Sequence, residues 1–396
     1  MRIFRVPTEE EIKKGLCTDA YFVRTEEVLK GLNDNTLVTM ELMTKKFPDK
    51  NYAFGVFAGI YEVAKLLEGV PVDVDSIDEG DFFYPEEPVL NITGKYIDFV
   101  RYETSILGFI CSYSGIASKA IRVRIASKNK TVLSFGTRRQ HPFLAPTIEY
   151  ATYIAGFDGV SNVIGAKYIG KEAVGTMPHA LILVLGDNKK AFKSFDDIVD
   201  PKIPRICLID TSGSPIAELE DALTVLGDRL KGVRIDSGNL KTIGKEIKWF
   251  LRLKKREDIK VFFSGGLDEY SIVELNDIGD GFGVGTKIAD ADVIDFALKI
   301  IEVNGEPKAK FGNYPGKKII LRNYNFEDIV TLYGNQKEGY KNLLKPLLRK
   351  GEIVRDFEDV DKIRDRVLSN LNNLPDYLKS IVGEVKYPVK LIPNLI

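Results

Sequence analysis

The chain has little cysteine. Cys17, Cys111 and Cys207 are the only three in 396 residues. They are too few and too scattered for a disulfide framework or a cysteine-rich zinc site. Such sparse thiols imply a reducing compartment, hence a cytoplasmic location. Histidine is scarcer still, with His141 and His179 alone, and neither stands at metal-ligand spacing from a second histidine or a cysteine. No residue is therefore assigned to a structural metal. A Gly-x-Ser-x-Gly elbow is also missing, so triad hydrolysis has no support. Charge of one sign is absent. Lys and Arg number 56 against 57 Asp and Glu, a net charge of −1, and no global field draws the chain to nucleic acid or anionic lipid. The most apolar window, residues 52–69, contains Glu62 and Lys65 and is too short for a membrane span. Its Gly55 and Gly59 read as a GxxxG pair for close helix packing in a soluble core. The opening MRIFRVPTEEEIKKG lacks the apolar stretch of a signal peptide. No internal repeat or low-complexity tract is evident.

What is present is the composition of a globular protein, 44% hydrophobic and 29% charged. The length exceeds what one core usually holds, so two domains are expected. Between about 121 and 304 the chain alternates. Short apolar runs (131–137, 159–166, 205–214, 232–238, 260–266, 281–286) end in small or polar residues. Amphipathic stretches at helical spacing (217–230, 240–255, 271–278, 291–303) lie among the later ones. This reads as parallel α/β with strands buried on both faces. A full eightfold barrel takes about 250 residues, and the pattern occupies fewer. The expected fold is therefore an irregular, incomplete TIM-like α/β barrel over 109–304. A second α+β domain is expected from both chain ends, 1–108 and 305–396. An open doubly wound sheet is the alternative. In either case ligands gather at the carboxyl ends of the strands. The segment 308–324 reads as strand–turn–strand, and GNYPGKK (312–318) as a hairpin turn rather than a phosphate loop.

The strand ends carry the chemistry. Gly265 and Gly266 in SGG, and Gly285 and Thr286 in GVGT, are suited to a phosphate, because glycine lets backbone N–H groups approach an anion closely. The plain alternative is turn glycine. Asp210 and Asp236 can hold sugar hydroxyls or magnesium-bound waters, or cap the following helices. Arg234 lies two residues before Asp236, on the same face of an extended strand. Arg138 and Arg139 are adjacent like charges in SFGTRR that call for an anion. His179, in GTMPHA, stands beside the other loops and is either structural or catalytic. In CTDAYFVRTEEV (17–28), Tyr21 falls on a capped helix, half buried.

The ordered set TDAYF, SFGTRR, GVSNVIGA, GTMPHA, VRIDSG, FSGGLDE and FGVGT resembles the nicotinate phosphoribosyltransferase family from about Thr18 to Lys317. The resemblance implies the type II fold, an irregular barrel beside a domain built from both termini. It implies that nicotinate is joined to 5-phosphoribosyl-1-pyrophosphate, giving nicotinate mononucleotide and pyrophosphate in NAD biosynthesis. Mg2+ and ATP are the implied cofactor and co-substrate. Phe135 would stack on one face of the pyridine ring. Tyr21 would cover the other face of a neighbouring subunit's site, which makes the protein a homodimer or higher homo-oligomer. Arg138 and Arg234 match positions contacting the sugar donor and the acid substituent, and Arg139 a further phosphate contact. Asp210 and Asp236 match positions near the ribose and diphosphate. Gly265, Gly266, Gly285 and Thr286 correspond to the 5-phosphate cradle, and His179 to a histidine phosphorylated by ATP. Ser161 stands where nicotinamide-specific relatives carry aspartate. A hydroxyl can donate to a carboxylate that an aspartate would repel, so Ser161 favours the acid. The alternatives are a decarboxylating quinolinate phosphoribosyltransferase and a non-catalytic phosphosugar-binding barrel.

Overall fold

The computed structural model describes residues 3–391. The chain divides into two compact units, one of residues 1–118 with 292–396 and one of residues 119–291.

In the first unit, a seven-stranded sheet runs in the order Glu306–Pro307, Phe296–Val303, Leu37–Thr44, Leu90–Lys95, Asp73–Ser76, Lys345–Arg349, Glu352–Ile353. Its pairings are antiparallel. Strand Leu37–Thr44 pairs with Phe296–Val303 (Leu42 opposite Leu298), so segments from both ends of the chain share one sheet. A second sheet orders Lys341–Asn342, Lys318–Arg322, Asp328–Leu332 and Val389–Leu391. Leu42, Val63, Leu67, Ile92, Ile106 and Ile110 belong to the buried core beneath. The segment 291–303, expected as a helix, is the strand Phe296–Val303 instead. Its apolar residues fit either period over so short a run, and pairing along Leu37–Thr44 decides for the strand. The segment 312–318 is not a hairpin turn. It connects the short strand Glu306–Pro307 of one sheet to Lys318–Arg322 of the other.

One further expectation changes. Gly55 and Gly59 do not lie on a helix. Gly55 sits in a two-stranded pair with Phe82–Phe83, where a Cβ would come within 2.4 Å of the Phe83 ring. Gly59 precedes the helix Ile60–Leu67 at φ 97°, a conformation that glycine adopts without strain. The helical stretch Tyr96–Ser127 is long and apolar enough to cross a membrane, yet 67% of its apolar window is buried within the protein, as befits a core helix.

The second unit holds a six-stranded sheet ordered Gly159–Val160, Thr131–Ser134, Gly281–Val284, Lys260–Phe263, Leu230–Ile235, Arg205–Leu208. Every pairing is parallel. Strand Arg205–Leu208 is buried along its whole length, as is Gly281–Val284, the pattern of a sheet covered on both faces. Helices Pro215–Leu226, Leu240–Leu253 and Glu269–Leu275 connect the later strands. Between Val160 and Arg205 the chain forms helices only, Val163–Tyr168, His179–Leu185 and Asn188–Ile198. That gap in the alternation is why the unit is shorter than a full eightfold repeat. Because all six strands point the same way, their carboxyl ends and the loops after them share one edge.

Candidate active site

The loops at that edge are built by specific contacts. Phe135 follows the strand Thr131–Ser134, and its N–H donates to the Val284 carbonyl at 2.8 Å. Its ring lies on Gly283, where a Cβ would approach Cε2 to 2.3 Å. The Arg234 guanidinium lies 5.9 Å from the centre of that ring, and its Nη1 donates to Thr176 Oγ1 at 2.6 Å. Arg234 sits three strands away from Phe135 in the sheet order. In a flat sheet three spacings are about 14 Å, so the sheet curls and brings these two side chains together on its concave side.

The acids are not helix caps. Ser214 caps the helix after Asp210, and Asn239 the helix after Asp236. Asp210 Oδ2 instead accepts from the Asp236 N–H at 2.8 Å and from Ser237 Oγ at 2.7 Å. Ser264 donates to Asp236 Oδ1 at 2.6 Å. This leaves Asp210 Oδ1 buried without a partner, and Asp236 Oδ2 faces His179. His179 Nε2 stands 3.7 Å from Asp210 Oδ1 and 3.8 Å from Asp236 Oδ2, while Nδ1 is 3.0 Å from Thr211 Oγ1. Burial pulls the Arg234 guanidinium below its ordinary value. Asp236 and Asp210 oppose that shift and Arg138 adds to it. The Arg234 Nε is buried and unpartnered.

Gly265 has φ +86°, and a Cβ there would meet the Asp236 carbonyl oxygen at 2.0 Å. Gly266 has φ +70° with nothing within 4 Å of such a Cβ. Gly285 packs its carbonyl against Gly136, where a Cβ would come within 2.7 Å, and Thr286 opens the short turn Thr286–Ala289. Arg138 and Arg139 lie on the single turn Thr137–Arg139, exposed, and neither forms an ion pair among the described residues. Ser161 is half-buried on the loop after Val160. Eleven of the expected positions thus cluster at one edge with Phe135. Tyr21 does not: it belongs to the first unit, 57% exposed on helix Ala20–Gly31 rather than half-buried.

Several supporting residues had no motif to announce them. Glu218, buried in the first turn of its helix, accepts from the N–H groups of Thr211 and Ser212 at 3.0 and 2.6 Å and so shapes the loop holding Asp210. Its position at a helix start after a glycine-bearing loop was the available signal. Asn162 caps helix Val163–Tyr168 and donates to Thr137 Oγ1 at 3.2 Å, joining the Ser161 loop to the arginine turn. Thr176, Thr211 and Ser264 were recognisable only as neighbours of motif residues. Among the described residues, no cluster of three or more His, Cys, Asp or Glu side chains could hold a metal ion.

A concave parallel sheet edge with glycine loops, three arginines, two carboxylates and an aromatic face suits a phosphorylated, anionic ligand. Family comparison agrees. Residues 19–114 and 116–299 match the N-terminal and C-terminal domains of quinolinate phosphoribosyl transferase, and residues 285–396 match the nicotinate phosphoribosyltransferase C-terminal domain. The nicotinate phosphoribosyltransferase pncB2 of Mycobacterium tuberculosis is 30% identical over 88% of this chain and 79% of its own length. That of Bacillus subtilis is 26% identical over 95% of this chain and 92% of its own. A crystal structure of nicotinate-nucleotide pyrophosphorylase from Pyrococcus furiosus superposes with a TM-score of 0.92 at 44% identity, covering 94% of this chain and 99% of that one. Human nicotinic acid phosphoribosyltransferase shares the fold, with a TM-score of 0.81 at 18% identity over 96% of this chain and 98% of that one. The chain belongs to the nicotinate phosphoribosyltransferase family.

Proposed function

We propose that the protein joins nicotinate to 5-phosphoribosyl-1-pyrophosphate, forming nicotinate mononucleotide and pyrophosphate in NAD biosynthesis, on an irregular, incomplete α/β barrel. The observation that carries this reading is the approach of Arg234 to the Phe135 ring beside the Asp210–Asp236–His179 group. A flat surface for a ring, a cation for its carboxylate and acids for a sugar lie together there. The pyridine nitrogen attacks the anomeric carbon, the new N–C bond forms, and the C–O bond to pyrophosphate breaks with its electron pair leaving on oxygen. The nitrogen is already nucleophilic, so the protein's work is alignment and stabilisation of separating charge. Phe135 fixes the ring plane. Arg138, Arg139 and Arg234 bind the acid and the phosphates through paired hydrogen bonds. Gly265, Gly266, Gly285 and Thr286 cradle the 5-phosphate, and Ser161 donates to the nicotinate carboxylate.

Mg2+ fits the orphaned Asp210 Oδ1 and the partly exposed Asp236 carboxylate, which would hold its water shell. When bound with the donor, the ion neutralises charge on the departing pyrophosphate. ATP is the proposed co-substrate. His179, whose Nδ1 lies 3.0 Å from Thr211 Oγ1, would accept the γ-phosphoryl group on Nε2 as ADP leaves. Tyr21, exposed on the first unit, completes the site of a second copy in a homodimer, and the compartment is the cytoplasm.

Pyrophosphate release tests the reading with nicotinate, nicotinamide or quinolinate as acceptor, each with and without ATP. Quinolinate is included because two of the matched family models carry its name. Release with nicotinate alone among the three is expected. Carbon dioxide release from quinolinate would establish the decarboxylating reaction instead, and donor binding without pyrophosphate release a silent binding protein.

A further inference from the structure

Helix Ala145–Ile154 carries a glutamate where a core helix would ordinarily present an apolar side chain. Glu149 is 0% exposed. Its Oε1 accepts from the Asn162 N–H at 2.9 Å, and the Ser161 N–H also faces this carboxyl. The helix Val163–Tyr168 packs directly on it, since a Cβ at Gly165 would meet Glu149 Cγ at 2.6 Å. The other oxygen, Oε2, is buried with the Ser134 hydroxyl beside it, and neither has any further partner. The hydroxyl's own proton, donated to Oε2, satisfies both oxygens at once. No charged group contributes at this position, and burial pushes the carboxyl above its ordinary range.

The two things Glu149 touches are the two walls of the ring slot. Ser134 immediately precedes Phe135, and its strand lies parallel to Gly159–Val160 with Ser134 opposite Val160. Ser161 follows that second strand. We propose that Glu149 is a positioning residue: its carboxyl group ties the Phe135 strand to the Ser161 loop, and so fixes the stacking face and the carboxylate donor at the spacing a planar pyridine acid requires. This rests on the functional reading above, in which Phe135 and Ser161 contact the ring.

The test compares Glu149→Gln, Glu149→Leu and Glu149→Asp in steady-state kinetics with nicotinate and the sugar donor. The glutamine amide can accept from Asn162 and donate to Ser134, so that variant should keep the nicotinate KM within about threefold. Leucine leaves the Asn162 N–H unpaired, and the nicotinate KM should rise about tenfold or more. The donor KM should stay unchanged, a split that general loosening of the fold would not produce. If the leucine variant fails to fold, the aspartate variant, one methylene short, should show the same split. An unchanged nicotinate KM in either folded variant overturns the proposal. So does a glutamine variant as impaired as leucine, or equal losses for both substrates. The wild-type arm tests the functional reading by itself, since a protein that releases no pyrophosphate with nicotinate fails there, before any variant is compared.

Discussion

Arg138 and Arg139 leave the backbone on one turn, exposed and without ion-pair partners, and Arg234 is pulled down by burial and by Arg138. Three cations held close without sufficient counter-charge are a standing demand for an anion. Arg138→Ala should therefore lower turnover with nicotinate about a hundredfold or more, the scale for losing a transition-state donor. Near-normal turnover would remove it from the site. At Ser161 the argument is one of sign. Ser161→Asp places a carboxylate where nicotinate's would lie, so preference should move towards nicotinamide, and the ratio of kcat/KM values for the two acceptors measures it. A third residue tests stability rather than catalysis. Burial raises the Glu103 carboxyl to about 7. Below the unfolded value of about 4.3 both states are protonated. Between there and about 7 the unfolded chain releases its proton first. Stability from this group therefore falls as pH rises through that window and levels off above it. Glu103→Gln should flatten that slope in thermal midpoints measured from pH 4 to 8, and an unchanged slope would show that Glu103 does not set it.

Between elements, the site depends on how closely neighbouring strand ends approach. Gly265 meets the backbone of Asp236 so tightly that any side chain must push the two strand ends apart. Gly266 faces open space and would suffer only the left-handed strain of about 1–2 kcal/mol. Gly265→Ala should thus be the more destabilising substitution in urea unfolding and should weaken donor binding. Comparable losses from both would mean that the strand ends adjust freely. The same scale shows what was legible in the sequence. All six parallel strands could be seen, because each is a short apolar run ending in a functional loop. The strand Phe296–Val303 has the local pattern of a helix, since its identity depends on pairing with Leu37–Thr44, some 260 residues earlier, and no local period encodes that. The motif residues Asp210 and Asp236 were visible, but their release from capping was not. It follows from Ser214 and Asn239 taking that role. Glu149 and Glu218 are silent in the sequence for a related reason. A buried acid that shapes a loop looks, in one dimension, like any surface glutamate.

At the scale of the whole molecule, the residues proposed for the site fall in different units of the chain. Phe135, Arg138, Arg234, His179 and both aspartates belong to residues 119–291, whereas Tyr21 belongs to the unit built from the two chain ends. A tyrosine 57% exposed on a helix whose other face is anchored through Phe22 and Glu26 is poorly used in a monomer. If it closes a partner's site, each dimer has two composite sites, each needing Tyr21 from one chain and Arg138 from the other. Tyr21→Ala and Arg138→Ala homodimers should then both be impaired. Mixing them after dissociation yields about half heterodimers, in which one of the two sites contains both intact residues. Activity should recover to about a quarter of wild type. In a site made from one chain alone, every chain in the mixture still carries one defect, and exchange of subunits recovers nothing. Recovery on mixing therefore separates a shared site from a self-contained one, and its absence under proven subunit exchange would return Tyr21 to an ordinary surface residue.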